Sequence, residues 1–435
     1  MDLRTKAEIM ELVEEEDIEF IRLQFTDMFG NLKNVAVTAN QLEHVLDNNY
    51  VFEGSYMFGD LFEEEEDRYL YPDFETFTIL PWRPQQGKVA RMLCDVCDEE
   101  GKRCNFSSRA ILKQVINKAK ENGYTFYVDP ECEFFLFHTD ENGIPTTVTH
   151  EQAGYMDVGP LDLGENARRE IVLSLEKMGF EIESSHHEKA PAQHEIVFQE
   201  AEPLQTADSI VTFRSAVRSI AKGFGLHATF MPKPRGDVEG SGMHLKFSVY
   251  KDGRNIFNSQ SGEEIREEAK CFMGGIMKHV QAICAITNPI VNSYKRLIAG
   301  VNAPQDIAWS KKKKNTLIRV HKRTGFDTKI ELRFPDSSAN PYLAIALCMA
   351  AGMEGLEKKI EPGEEALVSY KGSGETKKLP DTLGMAVKYF IEDPFMKEVL
   401  GEEFTKLYAD RKITEWNAYM MQVSNWELET YLSRI

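Results

Sequence analysis

The chain has 435 residues, more than one hydrophobic core usually organises, so roughly two to three domain-sized units are expected. A hydrophobic fraction of 42% beside 28% charged residues excludes a wholly disordered chain, and a net charge of −19 argues against nucleic acid or an anionic membrane as partner. Seven cysteines are too sparse for a disulfide scaffold, and neither a signal-peptide core nor a run of about 18 uncharged apolar residues occurs, so a cytoplasmic location is expected.

A first helix should precede residues 17–38, whose apolar and polar residues alternate around Gly30-Asn31 and predict a β-hairpin. Acidic residues Glu63 to Asp67 read as a solvated loop. Cys94 and Cys97 form a CxxC without a second pair, which suits structural cysteines in a strand better than zinc or redox chemistry. The polar turn at 98–105 closes this small unit, which divides the chain into 1–100 and 101–435.

Ser107 or Ser108 then caps a helix with Ile111, Leu112, Val115, Ile116 and Ala119 on one face and Gly123 as its stop. Strand-like alternation at 194–198, 243–249 and 328–334 mixes with helical periodicity at about 164–178, 206–224, 263–287, 340–358 and 381–391. No regular βαβ repeat is visible, so the fold class expected is α+β. Lys311 to Lys314, between Trp309 and Arg319, fit a solvated face and an anion-binding loop equally well.

Three of the strands carry reactive side chains two residues apart, which a two-residue period places on one face. They are Glu131 with Glu133, His244 with Lys246, and Glu331 with Arg333. Each pair alone also fits a solvent-facing strand. Glu188 and Glu195 bracket a Pro-containing loop, and Gly240 and Gly242 permit close backbone approach to a ligand. Together, five carboxylates and one imidazole suit a hard divalent cation, Mg²⁺ or Mn²⁺, better than zinc. Two such ions clamp a transferring phosphoryl group, and Arg296, Arg319 and Arg333 could neutralise phosphate and substrate carboxylate. Neither a GxxxxGK[ST] loop nor the protein-kinase signature set occurs.

The strings DPECEFFLF, GYMDVGPLDLGENARREIVLSLEKMGFEIESSHHEKAPAQHEI, HATFMPKPRGDVEGSGMH, AITNPIVNSYKRL and ELRFPDSSANPYLAIA strongly resemble type I glutamine synthetase, nearly from end to end. The resemblance implies a small N-terminal β-grasp domain and a larger α+β catalytic domain. It implies ATP as cofactor, with two or three Mg²⁺ or Mn²⁺ ions per active site. Glu133, Glu188 and Glu195 would hold the ion near substrate and amine, and Glu131, His244 and Glu331 the ion near the nucleotide phosphates. Arg296 would clamp the α-carboxylate of L-glutamate, with Gly240 and Tyr155 also on the substrate side. Arg319 and Arg333 would face the phosphates, and Ser248, Lys246 and Lys329 would belong to the nucleotide side. The activity implied is formation of γ-glutamyl phosphate, then displacement of phosphate by ammonia or an amine. A homododecamer of two hexameric rings is implied as well, with active sites between subunits, each completed by a neighbour's FEGSY segment.

Departures from the family pattern cluster around the amine. FDGSS reads FEGSY, so Glu53 replaces an aspartate and Tyr56 a serine; GYEAP reads GVNAP, so Asn302 stands where a glutamate takes a proton from incoming ammonium. An amide cannot act as a general base near neutral pH. Lys314 replaces an arginine, Glu239 an asparagine of the glutamate-binding loop, and Cys132 a proline. Phe62 stands where the feedback-regulated type tends to have arginine, and 361–380 holds neither the adenylylation-loop tyrosine motif nor its insertion, so regulation of neither kind is expected; Tyr370 is a candidate by proximity alone. Three readings follow: a γ-glutamyl-amine ligase using a primary amine, an ordinary glutamine synthetase with Glu53 or Asp306 as base, and a non-catalytic paralogue.

Overall fold

The computed structural model describes residues 4–57, 66–83, 86–259, 265–298, 303–322, 327–366 and 377–435. Phe62, Asn302, Tyr370, most of the acidic run and the side chain of Tyr56 lie outside the described residues.

Helix α1 (Lys6–Glu15) starts at a reciprocal cap between Thr5 and Glu8. It leads into the hairpin β1 (Ile18–Thr26) and β2 (Leu32–Thr38), whose turn uses the left-handed conformation of Gly30. Helix α2 (Leu42–Leu46) and strands β3 (Tyr50–Glu53), β4 (Asp67–Pro72), β5 (Thr78–Ile79) and β6 (Lys88–Cys97) complete the unit. Its sheet runs β2-β1-β6-β4-β3, with β1 parallel to β6 and β5 also on β6. Cys94 and Cys97 lie in β6 and are buried free thiols, as expected of structural cysteines.

The second unit opens with α3 (Ser108–Glu121), capped by Ser107. Then come β7 (Tyr124–His138), α4 (Glu165–Lys177), β8 (Ile182–His187), β9 (Gln193–Phe198), α5 (Pro203–Gly223), β10 (Leu226–Thr229), β11 (Met243–Lys251) and β12 (Arg254–Asn255). Helices α6 (Glu267–Thr287) and α7 (Val291–Ile298) precede β13 (Trp309–Ser310), β14 (Ile318–His321) and β15 (Lys329–Leu332). Among the described residues five helices end the chain: α8 (Pro341–Lys358), α9 (Leu383–Glu392), α10 (Pro394–Leu400), α11 (Glu402–Met420) and α12 (Asn425–Tyr431). Among the described residues the sheet runs β13-β14-β15-β11-β7-β9-β8, with β10 on β7 and β12 on β11. The α+β class expected from the irregular element order is what the two sheets and their helices form.

One face of this sheet is apolar and covered by helices. Phe134, Leu245, Phe247, Ile330 and Leu332 are fully buried there, each worth roughly 1.5–3 kcal/mol of burial. Helices α6 and α8 pack closely at Gly275 and Gly355, where an added Cβ would meet backbone at 2.0 Å and 2.1 Å. The two units are stapled by Arg109 of α3, which pairs with Asp73 and Asp95 of the first unit and Asp208 of α5 at 2.6–2.9 Å. Asn340 caps α8 and also donates to the Met28 carbonyl, tying the hairpin end to the second unit. Among the described residues no helix is long and apolar enough to cross a membrane.

Candidate active site

The register of the large sheet aligns its reactive residues in one row. Glu195 faces Glu133 across β9 and β7, Glu131 faces His244 across β7 and β11, and Glu331 faces Lys246 on one side and Arg319 on the other. Directly opposed residues share a face. The row therefore lies opposite the helix-covered face, since Cys132 and Phe134, alternating with the β7 glutamates, point into the core.

The row borders a cavity of about 310 Å³ lined by Glu131, Glu133, Tyr155, Glu188, Glu195, Glu239, Gly240, His244, Arg296, Lys314, Arg319, Glu331 and Arg333, among others. A larger hollow, about 950 Å³, lies between the β1–β2 turn and α11, but the convergent carboxylates all border the smaller one. Potential ligand atoms lie within 4.8 Å of one another in three sets here: Glu131, His244 and Glu331; Glu133, Glu195 and His244; and His186, Glu188 and Glu195. Hard carboxylate oxygens with an occasional imidazole fit Mg²⁺ or Mn²⁺.

The two ends of the cavity differ in charge balance. At one end Glu131 is 2.8 Å from His244 Nδ1 and 2.6 Å from Lys246 Nζ, while Glu331 is 2.5 Å from His321 Nε2 and also bonded by Arg333. Burial would raise both carboxyls, yet His244 and Lys246 hold Glu131 well below the ordinary range, and His321 with Arg333 holds Glu331 down at about 2. At the other end burial, and then repulsion among Glu131, Glu133, Glu188 and Glu195, push Glu133 and Glu195 upward. Those two carboxyls lack a sufficient counter-charge in the protein itself. A divalent cation would supply it.

Arg296 is buried, its guanidinium donating to the carbonyls of Phe334, Pro335 and Arg333 at 3.0–3.3 Å. Gly242 makes room for it, since a Cβ there would sit 2.6 Å from Arg296 Nη2, so the close approach expected of this loop is partly to the protein's own arginine. The Gly242 N–H donates to Glu133 at 2.8 Å. Nε of Arg319 and of Arg333 are buried donors without a hydrogen-bond partner among the described residues, which suits groups that meet an anion. Ser248 and Lys329 do not border this cavity; they meet at Glu200, 3.2 Å and 2.8 Å away, beside a further hollow of about 390 Å³.

Glu53 does not reach the cavity of its own chain: it is exposed at the end of β3 and accepts from Ser55 Oγ at 2.5 Å. Conversely, sequence reasoning passed over His186, 3.2 Å from Glu188, Gln193, which donates to Glu133 at 3.0 Å, and His321. Each stands two residues from a residue that was singled out: Glu188, Glu195 and Arg319. The same two-residue period would have found them.

Residues 105–431 match the family model described as "Glutamine synthetase, catalytic domain", and residues 17–99 match "Glutamine synthetase, beta-Grasp domain". A protein of Clostridium saccharobutylicum named "Glutamine synthetase" is 48% identical over 438 residues, covering 99% of both chains. One of the same name from Thermus thermophilus is 44% identical over 441 residues, again covering 99% of each. The solved structure titled "GmaS/ADP complex-Conformation 1" superposes with a TM-score of 0.89 at 30% identity, covering 98% of this chain and 99% of that one. A carboxylate-lined sheet face with matches of this extent on both sides of the division leaves no other assignment: the chain belongs to the glutamine synthetase family, ATP-dependent ligases that use divalent cations.

Proposed function

We propose that this chain is a γ-glutamyl-amine ligase, which joins an organic primary amine to the γ-carboxylate of L-glutamate and converts ATP to ADP and phosphate. The observation that carries this reading is a full carboxylate row in a chain that has Asn302 at the flap position where the family has glutamate.

Glu133, Glu188 and Glu195 would hold one divalent cation and Glu131, His244 and Glu331 another, and the bound ions would screen phosphate charge and polarise the transferring phosphoryl group. Arg296, fixed by three carbonyls, anchors the α-carboxylate and so aims the γ-carboxylate along the row. Arg319 and Arg333 present buried N–H donors to the charge that develops on the phosphoryl oxygens. Lys246, Lys329 and Ser248 serve the nucleotide side, and Lys314 closes over the phosphates as a point charge. The γ-carboxylate oxygen takes the γ-phosphoryl group, ADP leaves, the amine nitrogen then attacks the activated carbonyl, and the C–O bond to phosphate breaks, the proton that the nitrogen sheds in becoming an amide leaving with the phosphate. Ammonium must surrender a proton before that attack. Asn302 cannot take it, whereas an amine with a low intrinsic pKa, or one desolvated in an apolar pocket, arrives neutral.

The same proposal places a division at residue 100 and the enzyme in the cytoplasm, as a dodecamer of two hexameric rings. Glu53 sits off its own chain's cavity, as expected of a group that completes a neighbour's site, and Trp426, Leu432 and Ile435 are exposed in the C-terminal segment. A second reading, ordinary glutamine synthetase with Glu53 or Asp306 as base, draws support from the names of relatives 44–48% identical over the full chain. Phosphate release with ATP, Mg²⁺, glutamate and a panel of amines separates the two. We expect a clearly higher kcat/KM for some organic amine than for ammonia, and a gain in ammonia activity on Asn302→Glu. Efficient ammonia turnover with no gain from Asn302→Glu would sink the first reading and leave the second.

A further inference from the structure

Behind the carboxylate face lies a second polar cluster that the chemistry above does not use. Glu151, Asp162, His187 and His194 are buried, with ligand-type atoms within 4.8 Å of one another. Such a group invites a cation, but protein partners occupy all of it except His194 Nε2, a buried nitrogen without a hydrogen-bond partner among the described residues. Glu151 accepts from His187 Nε2 at 2.7 Å, Leu163 N at 2.9 Å, Gly164 N at 3.3 Å and Ala192 N. His187 Nδ1 faces only carbonyls, of Gly154 at 3.0 Å and Glu188 at 2.6 Å. With acceptors at both ring nitrogens, His187 keeps neither nitrogen free to face a cation. Arg168 Nη1 sits between Asp162 at 2.7 Å and His194 Nδ1 at 2.8 Å, where a bound ion would otherwise stand.

What the cluster holds is the backbone on either side of two candidate cation ligands. His187 precedes Glu188, His194 precedes Glu195, and Ala192, in a left-handed conformation, sits in the turn between them. Glu151 thus joins the end of β8, that turn and the start of α4 through one carboxylate. Resting on the cation-site reading above, we propose that Glu151 is a positioning residue, which fixes the 188–193 turn so that Glu188 and Glu195 converge with Glu133 before a cation arrives. Its role is distinct from general stability because two of the backbone segments it ties, the end of β8 and the turn before β9, lead directly into Glu188 and Glu195.

The test is Mn²⁺ titration of the full-length, EDTA-stripped protein without nucleotide, followed by electron paramagnetic resonance. Under those conditions the first Mn²⁺ goes to the Glu133 end, because Lys246, His321 and Arg333 already engage Glu131 and Glu331. Glu151→Gln should weaken this binding by about 10–100-fold, the usual cost of losing a group behind a metal ligand, with kcat at saturating Mn²⁺ little changed. His279→Gln, which breaks the buried bridge to Asp393 and Glu354 elsewhere in the fold, should lower Tm and leave Mn²⁺ affinity alone. Should Glu151→Gln fail to fold, Gly164→Ala is read in the same way, since its Cβ would lie 2.4 Å from His194 Nε2 and displace that ring. Wild-type Mn²⁺ affinity in the variant, whatever its Tm, overturns the proposal, as does a metal ion found in the Glu151 cluster. If Glu188→Ala also binds Mn²⁺ like wild type, the cation-site reading itself has failed; if only the Glu151 variant does, the positioning role alone has.

Discussion

Stripping the divalent cations should make the stability of this protein fall as pH rises. The direction comes from Glu133 and Glu195, which burial and carboxylate repulsion push upward, Glu133 from 4.5 to about 8. Between the unfolded value and the raised one, the folded state binds more protons than the unfolded state, so the free energy of unfolding decreases with increasing pH. That stability is fully present below about 4.5 and is lost as pH rises through about 8. Ligand oxygens of the two groups lie within 4.8 Å, and at an effective dielectric of 20 two unit charges at that distance repel by about 3.5 kcal/mol. The expected loss is therefore a few kcal/mol, and a bound divalent cation should cancel most of it. Glu131 and Glu331, held low by their basic neighbours, act with the opposite sign, but only in more acid solution. Thermal unfolding of EDTA-treated protein from about pH 5 to about pH 9, with and without Mg²⁺, reads the effect. Cation-free protein should lose several degrees of Tm across the range, Mg²⁺ should flatten the profile, and Glu195→Gln should do so without Mg²⁺. Profiles of equal slope with and without Mg²⁺ would refute the reasoning.

Glu188→Ala should reduce amide formation to background at saturating Mg²⁺ while the native oligomer persists, because the remaining carboxylates still repel; near-normal turnover would remove this residue from the site. Arg109→Met should destabilise the fold by roughly 3–5 kcal/mol, since it leaves Asp208 buried without its paired guanidinium while Lys113 still holds Asp95, and denaturant unfolding measures it. Light scattering at micromolar concentration should report a dodecamer; a monomer would contradict both the assembly and a site completed by Glu53 of a neighbour.

The fold was legible where local signals and burial agree. The hairpin at 17–38 announced itself by alternation and a turn glycine, and α3 by Ser107, an apolar stripe and a glycine stop, because one face of each element is buried against the same core. Strand β15 is shorter than its sequence pattern suggested: the Arg333 N–H still bonds to the Leu317 carbonyl, but its own carbonyl turns to Arg296. The hydrophobic pattern carries no record of that exchange, since a ladder bond and a bond to a buried arginine satisfy the same carbonyl.

The site was legible for a different reason. Carboxylates two apart on otherwise apolar strands are costly to bury, so finding them already implied a counter-charge; the cross-strand register supplies His244 and Lys246 as part of it, and Arg333, two residues past Glu331, adds to it. Which end of the cavity would remain short of positive charge could not be read from the sequence, because it depends on the distance of Lys246 from Glu131 and of His321 from Glu331. The Glu151 cluster was invisible for a related reason: its members are spread from 151 to 194 and acquire meaning only when α4 lies behind β8 and β9. The choice of amine belongs to the same class of question. On the reading proposed above, the discriminating quantity is the protonation state of the nucleophile at the moment of attack. A general base contributes typically about 10²–10⁴-fold, so a chain that keeps every carboxylate of the row but lacks that base disfavours an acceptor that arrives charged far more than one that arrives neutral.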